Sequence, residues 1–427
     1  MNPAGSHVGP ELIEKLRLAL DEQGATELLA SAVSAASVTG NEALMVQVLR
    51  PVMERLNLSP IEEEFSSGRP NIYGLRKGSS QGPKLAFLGH TDVVHARHWA
   101  KHWKGAPQEN PFKPAVIDGE MWGRGVADLK SGICASLMAL DLVDKVGIKL
   151  NSELSFAFIG DEESGEPGSG VSAGIKAYSA AVAQKRLSVP DFAIYVEPSK
   201  LAIYPVQMGF FIADITLTGK SAYFGKPELG HDALKAAHQV LSAIWAHSDI
   251  IAARQDHPLL GRAFALVTKI EAGGLIAVPG ECRLSLIRKL LPGEQLDEAT
   301  LELEQVLRSS VPQDITITID YPAGRDHPRG GSPAGTDLSH ESIALLTESV
   351  KAVRADAGNI EGAPFWSEMP FLTNEIKCPA VYFAPGDISI CHTNFERVPL
   401  RDYFDAIIAL AAFIISFYGA ANNGEPN

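Results

Sequence analysis

Apolar and polar residues follow two different periodicities in the first half of the chain. ELIEKLRLALDEQ and EALMVQVLRPVMERL place apolar residues three and four positions apart, which predicts two amphipathic helices. KLAFLGH, which starts at Lys84, is a short apolar run typical of a buried strand, and ELSFAFIGDEESG and DFAIYVEPS repeat it. GVADLKSGICASLMALDLVDKVG becomes helical after Gly132. Strands that alternate with helices predict an α/β fold with a doubly wound, mostly parallel sheet.

The pattern changes between residues 207 and 323. FFIADITLTGKSA alternates with period two, as in an antiparallel strand with one solvated face. The segments that follow read as helix, two strands, helix and strand, namely DALKAAHQVLSAIWAHS, AFALVTKIEAG, GECRLSLIRKL, EATLELEQVLRSSV and DITITIDYP. This β-α-β-β-α-β order predicts a ferredoxin-like α+β domain. We expect it to be inserted into a catalytic domain made of residues 1–206 and 324–427.

Composition narrows the class of protein. The 427 residues are 45% hydrophobic and 21% charged, which is typical of a globular chain of two or three domains. A net charge of −14, from 37 basic and 51 acidic residues, argues against a nucleic acid or an anionic membrane as the partner. The apolar run AIIALAAFIISFYGAA is shorter than the about 20 residues of a membrane span, so we expect a buried helix there.

The cellular compartment is predicted from the cysteines and from the start of the chain. Cys134, Cys282, Cys378 and Cys391 are far apart and form no paired metal or redox motif. The first residues have no basic stretch followed by an apolar one, so a secretory signal is not expected. We therefore expect a cytoplasmic protein that acts on a small molecule.

Ligand-type residues occur where predicted strands give way to turns. They are His90 and Asp92 in GHTDVV, Asp128 in GVADLKSG, Glu162 and Glu163 in GDEESG, Glu197 in YVEPS and His392 in CHTNFE. Ligands of α/β sheets bind at the carboxyl ends of the strands, so these side chains are expected to converge. Two imidazoles with several carboxylates suit zinc or manganese. One such residue alone is more often a cap or a solvated turn residue, so the prediction depends on their coincidence.

Two details of this cluster have a chemical meaning. The spacing of His90 and Asp92 lets the carboxylate accept the second N–H of the imidazole and fix its tautomer. Adjacent glutamates after a strand point in different directions. One of Glu162 and Glu163 can therefore be a ligand while the other stays free as a base.

The motifs GHTDVV, GRGVADLKSG, DEESG, VEPS and PGDISICHTNFE together resemble those of the dinuclear metallopeptidase/deacylase family. That family includes carboxypeptidase G, acetylornithine deacetylase, succinyl-diaminopimelate desuccinylase and aminoacylase. The resemblance covers nearly the whole chain, including the inserted domain. It implies one or two divalent ions per chain (zinc, manganese or cobalt). It also implies a homodimer formed through the inserted domain, which would serve as a lid.

The resemblance also implies a role for each candidate residue. The two ligand sets would share a bridging Asp128, and they are His90, Asp128 and Glu197 for one ion, and Asp128, Glu163 and His392 for the other. Asp92 would orient His90. Glu162 would be the general base that takes a proton from a metal-activated water.

The inserted domain departs from the family pattern at one position. Relatives carry a SAH-G segment whose histidine helps to stabilise the oxyanion, and this chain has Tyr223 there, in GKSAYFG. A phenol donates one hydrogen bond but cannot act as an imidazolium. Either a nearby donor such as His231 replaces the histidine, or the substrate and the reaction differ from those of the relatives.

Three further residues bear on the substrate. Arg288, in SLIRKLLPG, matches an arginine with which relatives bind a substrate carboxylate, although by itself it also reads as a surface residue at a strand end. Phe365 and Trp366, in PFWSEMPF, either add aromatic surface to the pocket, which would favour a flat aromatic substrate, or belong to the core.

The residues and the resemblance together predict a metal-dependent hydrolase that cleaves a C–N bond of a small, carboxylate-bearing substrate. An amide bond is favoured, in an N-acyl amino acid or a dipeptide. The alternative is a hydrolytic deaminase in which water displaces an amine from an activated aromatic ring, as in 5-nitroanthranilate aminohydrolase, to which the resemblance extends. A third possibility is a relative that binds metal without turnover, and the intact Glu162 argues against it.

Overall fold

The computed structural model describes residues 8–163 and 169–422, which form two compact units. The first unit consists of the described residues within Met1–Pro205, Gly335–Glu361 and Phe371–Asn427. The second consists of Val206–Ala334 and Gly362–Pro370. The segment 207–323, predicted as the inserted domain, falls within the second unit, which also contains residues 324–334 and a short segment from later in the chain. The functional roles of the domains stay a prediction.

The secondary structure includes ten helices and nineteen strands among the described residues. Helices α1 to α10 are Pro10–Ala19, Glu22–Ser34, Ala43–Arg55, Trp99–His102, Ser131–Lys145, Ala173–Ala183, Ala233–Ala252, Leu296–Ser310, Glu341–Val353 and Leu400–Asn422. Strands β1 to β10 are Ile61–Ser66, Arg69–Arg76, Leu85–His90, Ala115–Ile117, Glu120–Trp122, Leu154–Ile159, Phe192–Tyr195, Ile203–Gln207, Gly209–Thr218 and Asp256–His257. Strands β11 to β19 are Gly261–Arg262, Phe264–Ala272, Glu281–Leu290, Thr316–Asp320, Gly330–Gly331, Ala334–Gly335, Ile360–Ala363, Ala380–Tyr382 and Arg397–Pro399.

The main sheet of the first unit contains the strand order β1-β2-β6-β3-β7-β18-β8. Its four central strands, β6, β3, β7 and β18, pair in parallel, whereas β1, β2 and β8 pair in antiparallel fashion at the two sides. All six residues of β3 are buried, as expected for a central parallel strand that is covered on both faces. The predicted α/β class is confirmed, and its parallel part is confined to the centre of the sheet.

The C-terminal helix α10 is the buried helix predicted from its apolar run. Every residue from 406 to 413 is buried, and the helix packs against α5 and α9. A helix that is apolar all round is stable inside a protein because neighbouring elements cover it on every side. Within residues 8–163 and 169–422, none of the helices is long and apolar enough to cross a membrane.

The second unit contains an antiparallel five-stranded sheet with the order β12-β13-β9-β14, in which β15 also pairs with β9. Helices α7 and α8 pack with this sheet around a common core. Alternate residues of β9 are buried, among them Phe211, Ala213, Ile215 and Leu217, so the period-two pattern marks its core face. The chain order β9, α7, β12, β13, α8, β14 is the predicted β-α-β-β-α-β arrangement.

Candidate metal centre

Three of the candidate segments follow neighbouring parallel strands of the first unit. His90 is the last residue of β3, and Glu163 and Glu197 come shortly after the ends of β6 and β7, which flank β3. The carboxyl ends of parallel strands lie at one edge of the sheet, so these side chains are brought together there. Nε2 of His90 lies 3.8 Å from Oε1 of Glu197. The prediction that strand ends would build the site holds for these three residues.

Asp128 and His392 reach the same place from loops instead of strand ends. Asp128 lies in the short helical turn Val126–Lys130 that precedes α5, and His392 follows the turn Ile388–Ile390. The start of α5 comes very close to the segment that carries Glu197. A Cβ atom added at Gly132 would lie 2.3 Å from the carbonyl oxygen of Val196, so this approach requires glycine.

The Asp128 carboxylate lies between the two imidazoles. Its Oδ1 is 3.1 Å from Nε2 of His90, and its Oδ2 is 3.0 Å from Nε2 of His392. Nε2 of His392 is also 3.0 Å from Oε1 of Glu163. One ligand atom from each of His90, Asp128 and Glu163 lies within 4.8 Å of the others. Because Zn–N and Zn–O bonds are about 2.0–2.2 Å long, one ion fits between these atoms.

The second nitrogen of His90 is held by the main-chain oxygen of Asp92, whereas the sequence predicted its carboxylate. Nδ1 lies 2.9 Å from the main-chain oxygen of Asp92 and 3.8 Å from its carboxylate. A carbonyl oxygen can only accept, so Nδ1 carries the proton and Nε2 faces the ligand cluster.

The carboxylate of Asp92 does not bind His90 because it has other partners. It accepts hydrogen bonds from the amides of Glu162 at 3.3 Å and Glu163 at 3.0 Å, and from the hydroxyl of Thr39 at 3.0 Å. Asp92 therefore fixes the backbone that carries both glutamates. Glu163 is buried, whereas Glu162 is half-buried beside it.

The electrostatics of the cluster favour positive charge. Burial alone would lower the pKa of His90, but the hydrogen bond to Asp128 and the charge of Glu197 raise it well above its ordinary value. Burial would also lower the pKa of His392, but hydrogen bonds to Asp128 and Glu163 raise it to about 11. Burial would raise the pKa of Asp128, but its bonds to the two histidines lower it. Burial, followed by the charge of Asp128, raises the pKa of Glu163.

The donor set fits a divalent metal ion on these observations. Buried carboxylates outnumber the imidazoles, and both imidazoles are drawn toward their cationic form. A divalent cation supplies the same compensating charge and accepts nitrogen and oxygen ligands together, as zinc and manganese do. The structure thus brings His90, Asp128, Glu163, Glu197 and His392 to one place.

This cluster has the donor chemistry of a metal-dependent hydrolase, and comparison with known proteins identifies the class. The profile of the peptidase family M20/M25/M40 matches residues 86–416, and the chain belongs to this family. The acetylornithine deacetylase of Myxococcus xanthus is 26% identical over 358 residues, which are 82% of this chain and 84% of that protein. The succinyl-diaminopimelate desuccinylase of Gluconacetobacter diazotrophicus is 26% identical over 402 residues, or 91% and 95% of the two chains.

A solved structure supports the same fold. The M20 family metallo-carboxypeptidase of Sulfolobus solfataricus superposes with a TM-score of 0.72 at 17% identity, over 92% of this chain and 99% of that one. The match of the family profile confirms the family predicted from the five motifs. The chain is a hydrolase of the peptidase and deacylase type that acts on carbon–nitrogen bonds.

Tyr223 and His231 lie in the second unit, close to each other in sequence. Tyr223 is 65% exposed, its ring packs 4.6 Å from that of Phe224, and its main chain pairs with Ala277. Nδ1 of His231 lies 2.5 Å from the carboxylate of Asp314, so this imidazole already has an acidic partner. The roles predicted for both residues stay proposals.

One of the two interpretations of Arg288, that of a surface residue, is wrong. Its guanidinium is buried at the end of β13, where it donates to Oε1 of Glu294 at 2.5 Å and to the main-chain oxygen of Lys289. Glu294 also accepts a hydrogen bond from the amide of Leu291 at 2.7 Å. The planar fork therefore binds a carboxylate of its own chain and stabilises a turn. Its burial excludes the interpretation as a surface arginine, and the substrate-binding role stays a proposal.

Trp366 packs within the second unit. Its indole N–H donates to the carbonyl oxygen of Ser332 at 3.1 Å, and its ring lies edge-on to Phe210 at 5.7 Å. A Cβ atom at Gly331 would lie 2.3 Å from the indole. These contacts support the packing interpretation of Trp366 over the pocket interpretation; Phe365 beside it is half-buried.

Sequence reasoning missed three residues that support the site. Thr39 holds the Asp92 carboxylate, as described above. Arg124 and Glu396 form a buried ion pair next to the segments that carry Asp128 and His392. Both residues lie inside the motifs quoted above, GRGVADLKSG and CHTNFE. A charged side chain four residues from a predicted ligand, within the same motif, was the signal that could have found them.

Proposed function

We propose that this hydrolase cleaves the amide bond of a small, carboxylate-bearing N-acyl amino acid or dipeptide, with Glu162 as the general base. The observation that carries the proposal is the different placement of two adjacent glutamates. Glu163 is buried and lies in the ligand cluster, 3.0 Å from His392. Glu162 is half-buried, and its amide donates at 3.3 Å to the carboxylate of Asp92, whose main-chain oxygen lies 2.9 Å from Nδ1 of His90.

The ligand sets of the proposal share Asp128. His90, Asp128 and Glu197 would hold one ion, and Asp128, Glu163 and His392 the other. When bound, such an ion lowers the pKa of water toward about 7 and polarises a carbonyl group. Zinc, manganese and cobalt all suit this mixture of nitrogen and oxygen donors.

The chain's own residues handle the protons. The Glu162 carboxylate takes one proton from the attacking water as the water oxygen bonds to the amide carbon. When the C–N bond breaks, Glu162 returns that proton to the leaving nitrogen, so the products are a carboxylic acid and an amine. Asp92 holds the amide of Glu162, which keeps the base in place during both transfers.

The relatives support an N-acylated substrate. Two of them are named for the removal of an acetyl group from acetylornithine and of a succinyl group from succinyl-diaminopimelate. Both names describe amide bonds next to amino acid groups.

The second candidate is the aromatic deaminase. The observation that favours it is Tyr223, which stands where the family pattern has a histidine. Displacement of an aryl amine places negative charge in the ring rather than on one amide oxygen, so a histidine donor matters less. Release of ammonia from aminobenzoates, without turnover of N-acyl amino acids, would establish this activity in place of the amidase.

The experiment compares the wild type with Glu162→Gln on N-acetyl and N-succinyl amino acids, dipeptides and aminobenzoates. We expect turnover of an amide substrate, and a kcat about 10²- to 10⁴-fold lower in the variant. Metal content, measured by mass spectrometry, should stay unchanged. Glu64→Gln, on the exposed strand β1, is the matched control and should keep full activity. A Glu162→Gln enzyme with the wild-type rate would refute the role of the base.

The proposal includes a homodimer that forms through the second unit. Strand β12 lies at the edge of its sheet and exposes Leu266 and Ile270, which are 55% and 51% accessible. An edge strand presents unpaired N–H and C=O groups with which a strand of another chain can pair. Light scattering after size exclusion should give twice the chain mass for the wild type and the single mass for Leu266→Lys. A wild type of single mass would refute the dimer.

A further inference from the structure

A buried ion pair joins the two loops that carry Asp128 and His392. Arg124 precedes Asp128 by four residues, and Glu396 follows His392 by four residues. The two side chains are 2% and 0% exposed, and Nη1 of Arg124 donates to Oε2 of Glu396. The pair therefore links two ligand-bearing segments that are distant in the sequence.

Each partner also binds the main chain of the other's segment. Oε1 of Glu396 accepts hydrogen bonds from the amides of Ala127 and Asp128, both at 3.2 Å. Nη2 of Arg124 donates to the carbonyl oxygen of Thr393 at 3.1 Å. Glu396 thus holds the backbone of Asp128 directly, and Arg124 holds the residue after His392. We call this ion pair of Arg124 and Glu396 the clamp.

The backbone of His392 needs such support. His392 has φ 62°, the left-handed region that residues other than glycine rarely adopt. A conformation of this kind persists only where surrounding contacts hold it. Asp128 has φ −120° and ψ 92°, outside the helical region, although it lies within a helical turn. Neither residue belongs to a strand, so the sheet does not supply this support.

We propose that Arg124 and Glu396 are positioning residues, which hold the Asp128 and His392 loops in register so that both side chains face the same ion. The inference rests on the proposed metal centre. Arg124 and Glu396 act through the ligands, and their effect is on the geometry in which metal binds.

The test uses the full-length protein with Glu396→Gln and Arg124→Lys. In Glu396→Gln one carboxylate oxygen becomes an NH₂ group, which faces either the guanidinium or two amide N–H groups and repels them. In Arg124→Lys the charge remains, but the planar fork that binds Glu396 and Thr393 together is lost. Zinc affinity is measured by titrating zinc chloride against a chromophoric chelator, and kcat and KM are measured separately.

We expect Glu396→Gln to bind zinc about 10- to 100-fold more weakly and to lose kcat by a similar factor, with KM little changed. Arg124→Lys should shift both quantities in the same direction, by about 10-fold. The matched control is Asp405→Asn, which disrupts a different ion pair of the first unit, between Arg354 and Asp405. This control should lower the unfolding temperature without changing zinc affinity.

The outcomes separate the two proposals. If the wild type binds neither zinc nor, in the same titration, manganese or cobalt, the metal centre itself is refuted. If the wild type binds zinc and both variants bind it within twofold of the wild type, the clamp alone is refuted, whatever their unfolding temperatures. If Glu396→Gln does not fold, Arg124→Lys decides the question, because it retains the charge of the buried pair.

Discussion

Oδ2 of Asp128 lies 3.0 Å from Nε2 of His392, and the other oxygen of the same carboxylate faces His90. Asp128→Asn replaces one of these oxygens with an NH₂ group, which cannot act as a ligand. We expect metal affinity and kcat to fall by more than about 100-fold, because altering a residue that only supports a ligand already costs 10- to 100-fold. Metal analysis and turnover measure the effect. Asp144→Asn, which breaks a surface pair with Arg76, should change neither, and an Asp128→Asn enzyme with its full metal content would contradict the prediction.

Removal of metal should abolish activity and lower stability together. Dialysis against a strong chelator is expected to stop turnover, and zinc or manganese should restore it. Because the ion binds only the folded site, its loss removes stabilisation of about 2.7 kcal/mol at a concentration of 100 times its dissociation constant. Thermal unfolding with and without metal measures this difference. Turnover that survives complete metal removal would contradict the assignment of the site.

Asp92 should matter through the backbone it holds. Its carboxylate accepts from the amides of Glu162 and Glu163, and Asp92→Asn places an NH₂ group against one of them. We expect kcat to fall about 10- to 100-fold with metal content largely retained. Thr39→Val removes one hydrogen bond to the same carboxylate and should cost about fivefold. Steady-state kinetics of the two variants test this prediction. A loss of kcat in Thr39→Val that exceeds the loss in Asp92→Asn would contradict it.

The strands that could be predicted from the sequence are those whose burial leaves a clear pattern of apolar residues. The strand β3 reads as a continuous apolar run because all its residues are buried, and β9 reads as a period-two run because one face is solvated. Strand ends then place His90, Glu163 and Glu197 without knowledge of the tertiary structure. Asp128 and His392 were also expected at strand ends, but they directly follow no strand of the main sheet and lie in or beside short turns. Such turns have no periodicity from which to predict their place.

The parts that were missed depend on tertiary contacts or on weak patterns. Helix α2 was not predicted, since small alanines form much of its buried face, with Leu29 and Val33. Strand β1 was not predicted, because IEEEFS is acidic and largely exposed. The partner of Arg288 was missed even though Glu294 follows it by only six residues. Hydrogen-bond partners are decided by the folded backbone, and a carboxylate partner of the same chain looks no different in the sequence from an unpaired one.

The segment of Asp161, Glu162 and Glu163 should depend on Arg69 for its stability. Nη2 of Arg69 lies 2.5 Å from the buried carboxylate of Glu42 and 2.7 Å from that of Asp161. Arg69→Met leaves both carboxylates without their cation, which should cost about 3–5 kcal/mol. The urea midpoint of the metal-loaded protein measures this loss. Arg50→Met, which breaks exposed pairs with glutamates, should cost about 0–1 kcal/mol, and equal shifts in the two variants would contradict the argument.

Asp141 should contribute stability that depends on pH. Burial alone would raise the pKa of its carboxyl group, but hydrogen bonds from Arg55 and Lys145 outweigh burial and lower it. A carboxyl group with a lowered pKa in the folded state stabilises the fold above its unfolded pKa of about 3.9, and this contribution is lost as the pH falls through the folded value. The difference in unfolding free energy between the wild type and Asp141→Asn should therefore be constant above about pH 5 and shrink below about pH 4. Urea unfolding of both proteins after metal removal isolates this carboxyl group, because protonation of the metal ligands then affects both equally. A difference that is as large at pH 3 as at pH 7 would show that Asp141 acts through packing and not through its charge.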